Sequence, residues 1–176
     1  VIRDEDQLEA LMDRGALVDS EEVKSPRAEI AEASIEELPG LWNSCVDRAG
    51  RTLRAAVHRD FAKSLDEVAQ PVLALVERDP DLAIFQVVRQ EVAGKGAYGV
   101  SHSVHSAIAS FLVAQRMGWD ATTVERVFKA ALTMNLSIVE LQGRLATQMT
   151  PLTAAQRQAI HEHPTRSREM LEASGI

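Results

Sequence analysis

The chain reads as an all-α protein, a multi-helix bundle, on three observations. Nearly every periodic segment repeats its apolar residues at steps of three and four, as a helix face requires. Capping-box spacings and Pro or Gly stops fall between those segments. No stretch alternates convincingly as a strand, the best candidate being the short Ala16-Leu-Val-Asp19.

Taken in order, Asp4 to Met12 reads as a short acidic helix ended by Gly15. Residues 20–34 are charged and small, as expected for a linker. Ser34 and Glu37 have capping-box spacing, so the helical body is expected to begin there, with Pro39-Gly40 interrupting its first turn. Trp42, Cys45, Val46, Leu53, Ala56 and Val57 then form one apolar face. Cys45 lies on it with no His or Lys near in sequence to lower its pKa, and is read as a small core residue. A helix from about Asp60 to Arg78 is broken by Asp79-Pro80, and another runs from Asp81 to Glu91. Gly94-Lys-Gly96 marks a loop. It lacks the preceding strand, the first Gly and the Ser or Thr after Lys that a phosphate loop needs.

The next helix carries Val104, Ala107, Ile108, Phe111 and Leu112 on one face and stops at Gly118. Asp120 is a good N-cap for a long helix whose apolar line runs Val124, Val127, Phe128, Ala131, Leu132, Ile138, Val139. Thr153 and Gln156 form a second capping box, opening a helix expected to bend at His163-Pro164, because a residue before Pro is pushed out of helical geometry. An amphipathic Ser167–Ser174 segment closes at Gly175.

Composition sets the outer bounds. The 176 residues, 45% of them hydrophobic, suffice for one globular domain. One cysteine excludes an internal disulfide framework and a Cys-rich zinc module. The apolar run Pro71–Val76 is far short of the roughly 20 residues of a membrane span, and no basic start followed by an apolar run opens the chain, so a cytoplasmic protein is expected. The net charge is −7, yet Val1–Glu37 holds 12 of the 26 acids and only 4 of the 19 bases. The body is therefore nearly neutral and offers no cluster of Lys and Arg for DNA, RNA or an anionic membrane. The start at Val1 suggests a piece of something longer. Residues 1–33 are read as an acidic segment and linker left from an upstream module, and 34–176 as the helical domain.

Four of the five histidines fall in the second half, at His102, His105, His161 and His163. Imidazole is the commonest metal ligand, and His102 and His105, three apart, share a helix face. On spacing alone the favoured reading is the plainer one, polar residues bordering the core. The run Tyr98-Gly-Val-Ser-His102-Ser-Val, then Ala130-Ala-Leu-Thr-Met134-Asn135-Leu-Ser-Ile138, then Pro151-Leu-Thr through His163-Pro164, resembles an HD-GYP domain over roughly Pro80 to Ile176. That family, within the HD superfamily of metal-dependent phosphohydrolases, is all-helical and hydrolyses cyclic di-GMP in bacteria.

The resemblance places His102 at the family's first metal-binding His and His163 at the His of its His-Pro motif. The His-Asp doublet falls on Met134 and Asn135, the following Gly and Lys on Ser137 and Ile138, and the Gly after His-Pro on Ser167. The chain ends before the family's paired His and Gly-Tyr-Pro segment. Hydrolysis of a phosphodiester in this class relies on divalent metals and a bridging carboxylate. Met134 offers a soft thioether, which suits Cu(I) rather than Mg, Mn or Fe(II), and Asn135 is neutral. No catalytic residue and no metal are therefore expected. His102, His105, Met134, Asn135 and His163 are read as a vestigial pocket, with Asn135 bonded to His102 or a backbone group as a polar core lock.

His102 and His163, with His105 or His161, remain candidates for a single Zn or Ni ion. Arg166 and Arg168 are candidate phosphate contacts, against the plainer reading of a solvated face paired with Glu162 and Glu169. The expected function is an inactive signalling module that binds another signalling protein or an adjacent domain of the same chain, or senses cyclic di-GMP. The alternative is an active phosphodiesterase using Fe, Mn or Mg, with atypical ligands or ligands supplied beyond Ile176.

Overall fold

A computed structural model describes residues 25–55, 60–89 and 98–176. The expected opening helix, the strand candidate at Ala16–Asp19, Ala56, Val57 and the Gly94–Gly96 loop lie outside the described residues. Among the described residues every regular element is helical: α1 (Pro26–Glu32), α2 (Leu38–Arg54), α3 (Phe61–Arg78), α4 (Pro80–Arg89), α5 (Tyr98–Arg116), α6 (Ala121–Thr133), a 3₁₀ turn (Leu136–Ile138), α7 (Val139–Leu145) and α8 (Ala154–Ala173). No described helix is long and apolar enough to cross a membrane.

α3 is the centre. Ten of its residues are buried, with Phe61 and Leu65 turned inward from exposed charges in its first half and Val68 to Val76 buried almost without interruption, so its second half meets neighbours on more than one side. α2 lays Trp42, Cys45, Ala49 and Leu53 against it. α5 and α6 pack most extensively of any pair, with Phe111 edge-on to Phe128 at 6.4 Å between ring centroids. The corner between them is a Schellman cap: Gly118 takes φ +74°, Gly118 N–H bonds the Gln115 carbonyl and Trp119 N–H that of Ala114. Asp120 then caps α6 through the Thr123 amide at 3.0 Å, and the Thr153–Gln156 capping box opens α8 as expected.

Four expectations are corrected. The linker expected over residues 20–34 is a helix across Pro26–Glu32. Ser25 caps it, Pro26 stands in its first turn, and Ile30 is buried in the core against α3. Pro39-Gly40 does not interrupt α2, because Pro39 falls in the first turn, where a missing N–H leaves nothing unpaired. The long helix expected from Asp120 through Val139 ends at Thr133, and a turn at Met134–Asn135 leads into the 3₁₀ turn and α7. Finally, Ser167–Ser174 is not a separate element, since one helix, α8, runs from Ala154 to Ala173 with Pro164 inside it.

Candidate functional site

α5 carries the two central histidines on its way past α6 and α7. Tyr98 and His102, one helical turn apart, stack with ring centroids 5.8 Å apart and planes within 8°. His105 is half-buried. Burial pushes its pKa down, and the neighbouring His102 adds to the shift by like-charge repulsion.

The turn after α6 is built by hydroxyl competition. The Thr133 Oγ1 bonds back to the Lys129 carbonyl at 2.8 Å, a pattern that loosens a helix end. Met134 follows with 40% of its surface exposed. Asn135 is buried, and its carbonyl accepts from the Ile138 amide at 2.9 Å to start the 3₁₀ turn.

This turn docks on α8 through a closed relay. The Ser137 amide donates to Ser167 Oγ at 3.1 Å, the Ser167 hydroxyl donates to Ser137 Oγ at 3.0 Å, and the Ser137 hydroxyl donates to the His163 carbonyl at 3.1 Å. Every hydroxyl proton is used once, so the relay is fully satisfied. Ser167 is 3% exposed. Both serines fall on positions where the resemblance has glycine.

His163 is half-buried, and its Nδ1 donates to the Ile160 carbonyl. That carbonyl is the one Pro164 cannot serve, since proline has no N–H to return to it. The imidazole therefore stands in for the missing amide, which helps the helix continue past Pro164.

The fold thus brings the 134–138 turn and the 163–167 segment together. Among the described residues, however, no hydrogen bond joins Asn135 to His102, and the polar lock expected on Asn135 falls two residues later, on Ser137. Arg166 pairs with Glu162 at 2.6 Å, and Arg168 with Glu172 at 3.9 Å rather than with Glu169. His161 is exposed on the same helix.

The donor set does not fit a hard divalent ion. Met134 and Asn135 offer a thioether and a neutral amide, neither of them the anionic oxygen such an ion needs. Among the described residues no three His, Cys, Asp or Glu side chains gather as a metal would require. The resemblance marks Ser137 and Ser167 only as replacements of glycine, and nothing in the sequence signals that their hydroxyls bond each other. No family model matches the chain, and no curated protein or solved structure is significantly similar to it.

Proposed function

We propose that the chain is a catalytically inactive HD-GYP-like helical domain, an HD-type bundle serving bacterial signal transduction as an interaction or sensor module. One observation carries the reading. Two of the three segments on which the resemblance rests, Ala130–Ile138 and Pro151–Pro164, meet through the Ser137 hydroxyl and the His163 carbonyl, and Ser167, just beyond the second, closes the contact. The third segment lies on α5, which packs along α6 and α7. Chance similarity in three separated stretches gives no reason for them to meet.

Inactivity follows from the chemistry of the residues present. A bridging site for two cations needs anionic oxygen, and Met134-Asn135 supplies none. The partner is accordingly another signalling protein or an adjacent domain, or a cyclic dinucleotide held without turnover.

The test is a hydrolysis assay on cyclic di-GMP with Mn or Fe(II), run beside calorimetry with the same nucleotide. No turnover is expected. Binding without turnover makes the module a sensor, and no binding makes it an interaction module. Turnover above background, or a stoichiometric divalent ion that Asn135→Ala removes, overturns the reading.

A further inference from the structure

We propose that α8 is a latched arm, which opens from the body as a unit while the remaining helices stay folded. A 20-residue helix of a globular protein ordinarily buries an apolar stripe. α8 buries one residue within its length, and that residue is Ser167. Ala159, Ile160 and His163 are only half-buried, and Met170 and Leu171 alone rest against the main core. α3, of similar length, buries ten residues. The helix packs principally on the three-residue 3₁₀ turn rather than on another helix.

Besides the Met170 and Leu171 contacts near its end, two polar attachments hold it. At its start, Gln148 and Gln156 exchange amide hydrogen bonds of 3.2 and 2.7 Å, and Gln148 also caps the Thr150 carbonyl at 3.0 Å. These bonds tie α8 to the end of the preceding loop and make a pivot that needs no apolar contact. Near its middle, the Ser137–Ser167–His163 relay is the latch.

Opening such an arm uncovers little apolar surface and breaks a few hydrogen bonds that water can replace. The opening equilibrium therefore lies well below global unfolding in free energy, as is usual for elements that rely on polar docking. Released, α8 carries His163, Arg166 and Arg168 away from the Met134–Ile138 turn and leaves Ile138, which is buried but outside the main core, without its cover. Docked and released states of one element, the released helix being only marginally stable in water so that its amides exchange, are what a signalling module needs in order to be biased by a partner. The latch is a property of the fold, whichever function the module serves.

Amide hydrogen exchange on the 176-residue chain tests it. Residues 157–173 are expected to share one opening equilibrium, at least about tenfold larger than that of α3 and α5. Ser137→Ala and Ser167→Ala each remove two of the three relay bonds and are each expected to raise it a further several-fold; the double variant, which also removes the remaining bond, should raise it further but by less than the product of the two, because the Ser167–Ser137 bond is common to both. Rates in α3 and α5 should not move. The proposal is overturned if α8 exchanges with the same equilibrium as α3, or if either substitution accelerates α3 as much as α8. Should Ser167→Ala fail to fold, Ser167→Cys, which keeps the volume and weakens the bond, carries the same reading.

Discussion

A Cβ placed on Gly99 would lie 2.1 Å from the carbonyl oxygen of Val139 and 2.9 Å from its carbonyl carbon. The first turn of α5 therefore crosses the start of α7 backbone against backbone, with no room for any side chain. Backbone cannot rotate away as a flexible side chain would. Gly99→Ala is expected to cost about 1–3 kcal/mol, toward the upper end, read as a lower urea midpoint at unchanged slope. Gly40 in α2 is the control, since nothing lies within 4 Å of its Cβ. Gly40→Ala should stabilise by up to about 0.5–1 kcal/mol through helix propensity. Equal effects at the two positions would refute the close crossing.

Cys45 is buried on α2, and burial pushes its thiol pKa up to about 11, opposed weakly by Arg48. At pH 8 its thiolate fraction is about a hundredfold below that of an ordinary thiol. Alkylation by iodoacetamide is expected to be correspondingly slow in native buffer and fast in denaturant. Rapid native labelling would contradict the packing of that face.

His105 titrates below an ordinary histidine. With its folded pKa depressed, the unfolded chain binds the extra proton first, so stability is fully present above the ordinary value of about 6.5 and is lost as pH falls below it. The melting temperature is expected to fall between about pH 6.5 and 5 in the native sequence, and to fall less in His105→Asn. Parallel curves for the two proteins would remove His105 as the cause.

Thr153 takes part in both halves of the α8 capping box, its hydroxyl accepting the Gln156 amide at 3.2 Å and its own amide donating to the Gln156 side chain at 2.8 Å. Thr153→Ala should cost about 1 kcal/mol, and Thr153→Ser much less, because the serine hydroxyl restores the bond. A serine variant as weak as the alanine one would show that the methyl group, and not the cap, is what matters.

Local chemistry written in a few adjacent residues was legible in the sequence. The Asp120 cap, the Thr153–Gln156 box, the Gly118 and Gly175 stops and the burial of Cys45 depend on short-range geometry, and each stands where the spacing places it. Features decided by tertiary contact were not legible. The apolar line through Val124, Leu132 and Val139 keeps helical phase across the Met134–Asn135 break, so periodicity could not reveal that the chain turns there to meet α8. Likewise Ile30 is one apolar residue among charges, and only its place against α3 makes Pro26–Glu32 part of the body. Of the candidate site, the proximity of the 134–138 and 163–167 segments was implied by the resemblance. The serine relay that joins them was not, since a hydroxyl does not announce its partner 30 residues away.

The donation from His163 to the Ile160 carbonyl makes two adjacent positions depend on the order in which they change. Once Pro164 has become an ordinary residue, its own amide serves that carbonyl, and His163 can drift to any good helix former at little cost. If His163 changes first, the helix carries an open carbonyl beside a proline until the second change arrives. The permissive step is the loss of the proline, and a histidine kept beside a proline in a helix can be retained for the backbone's sake alone.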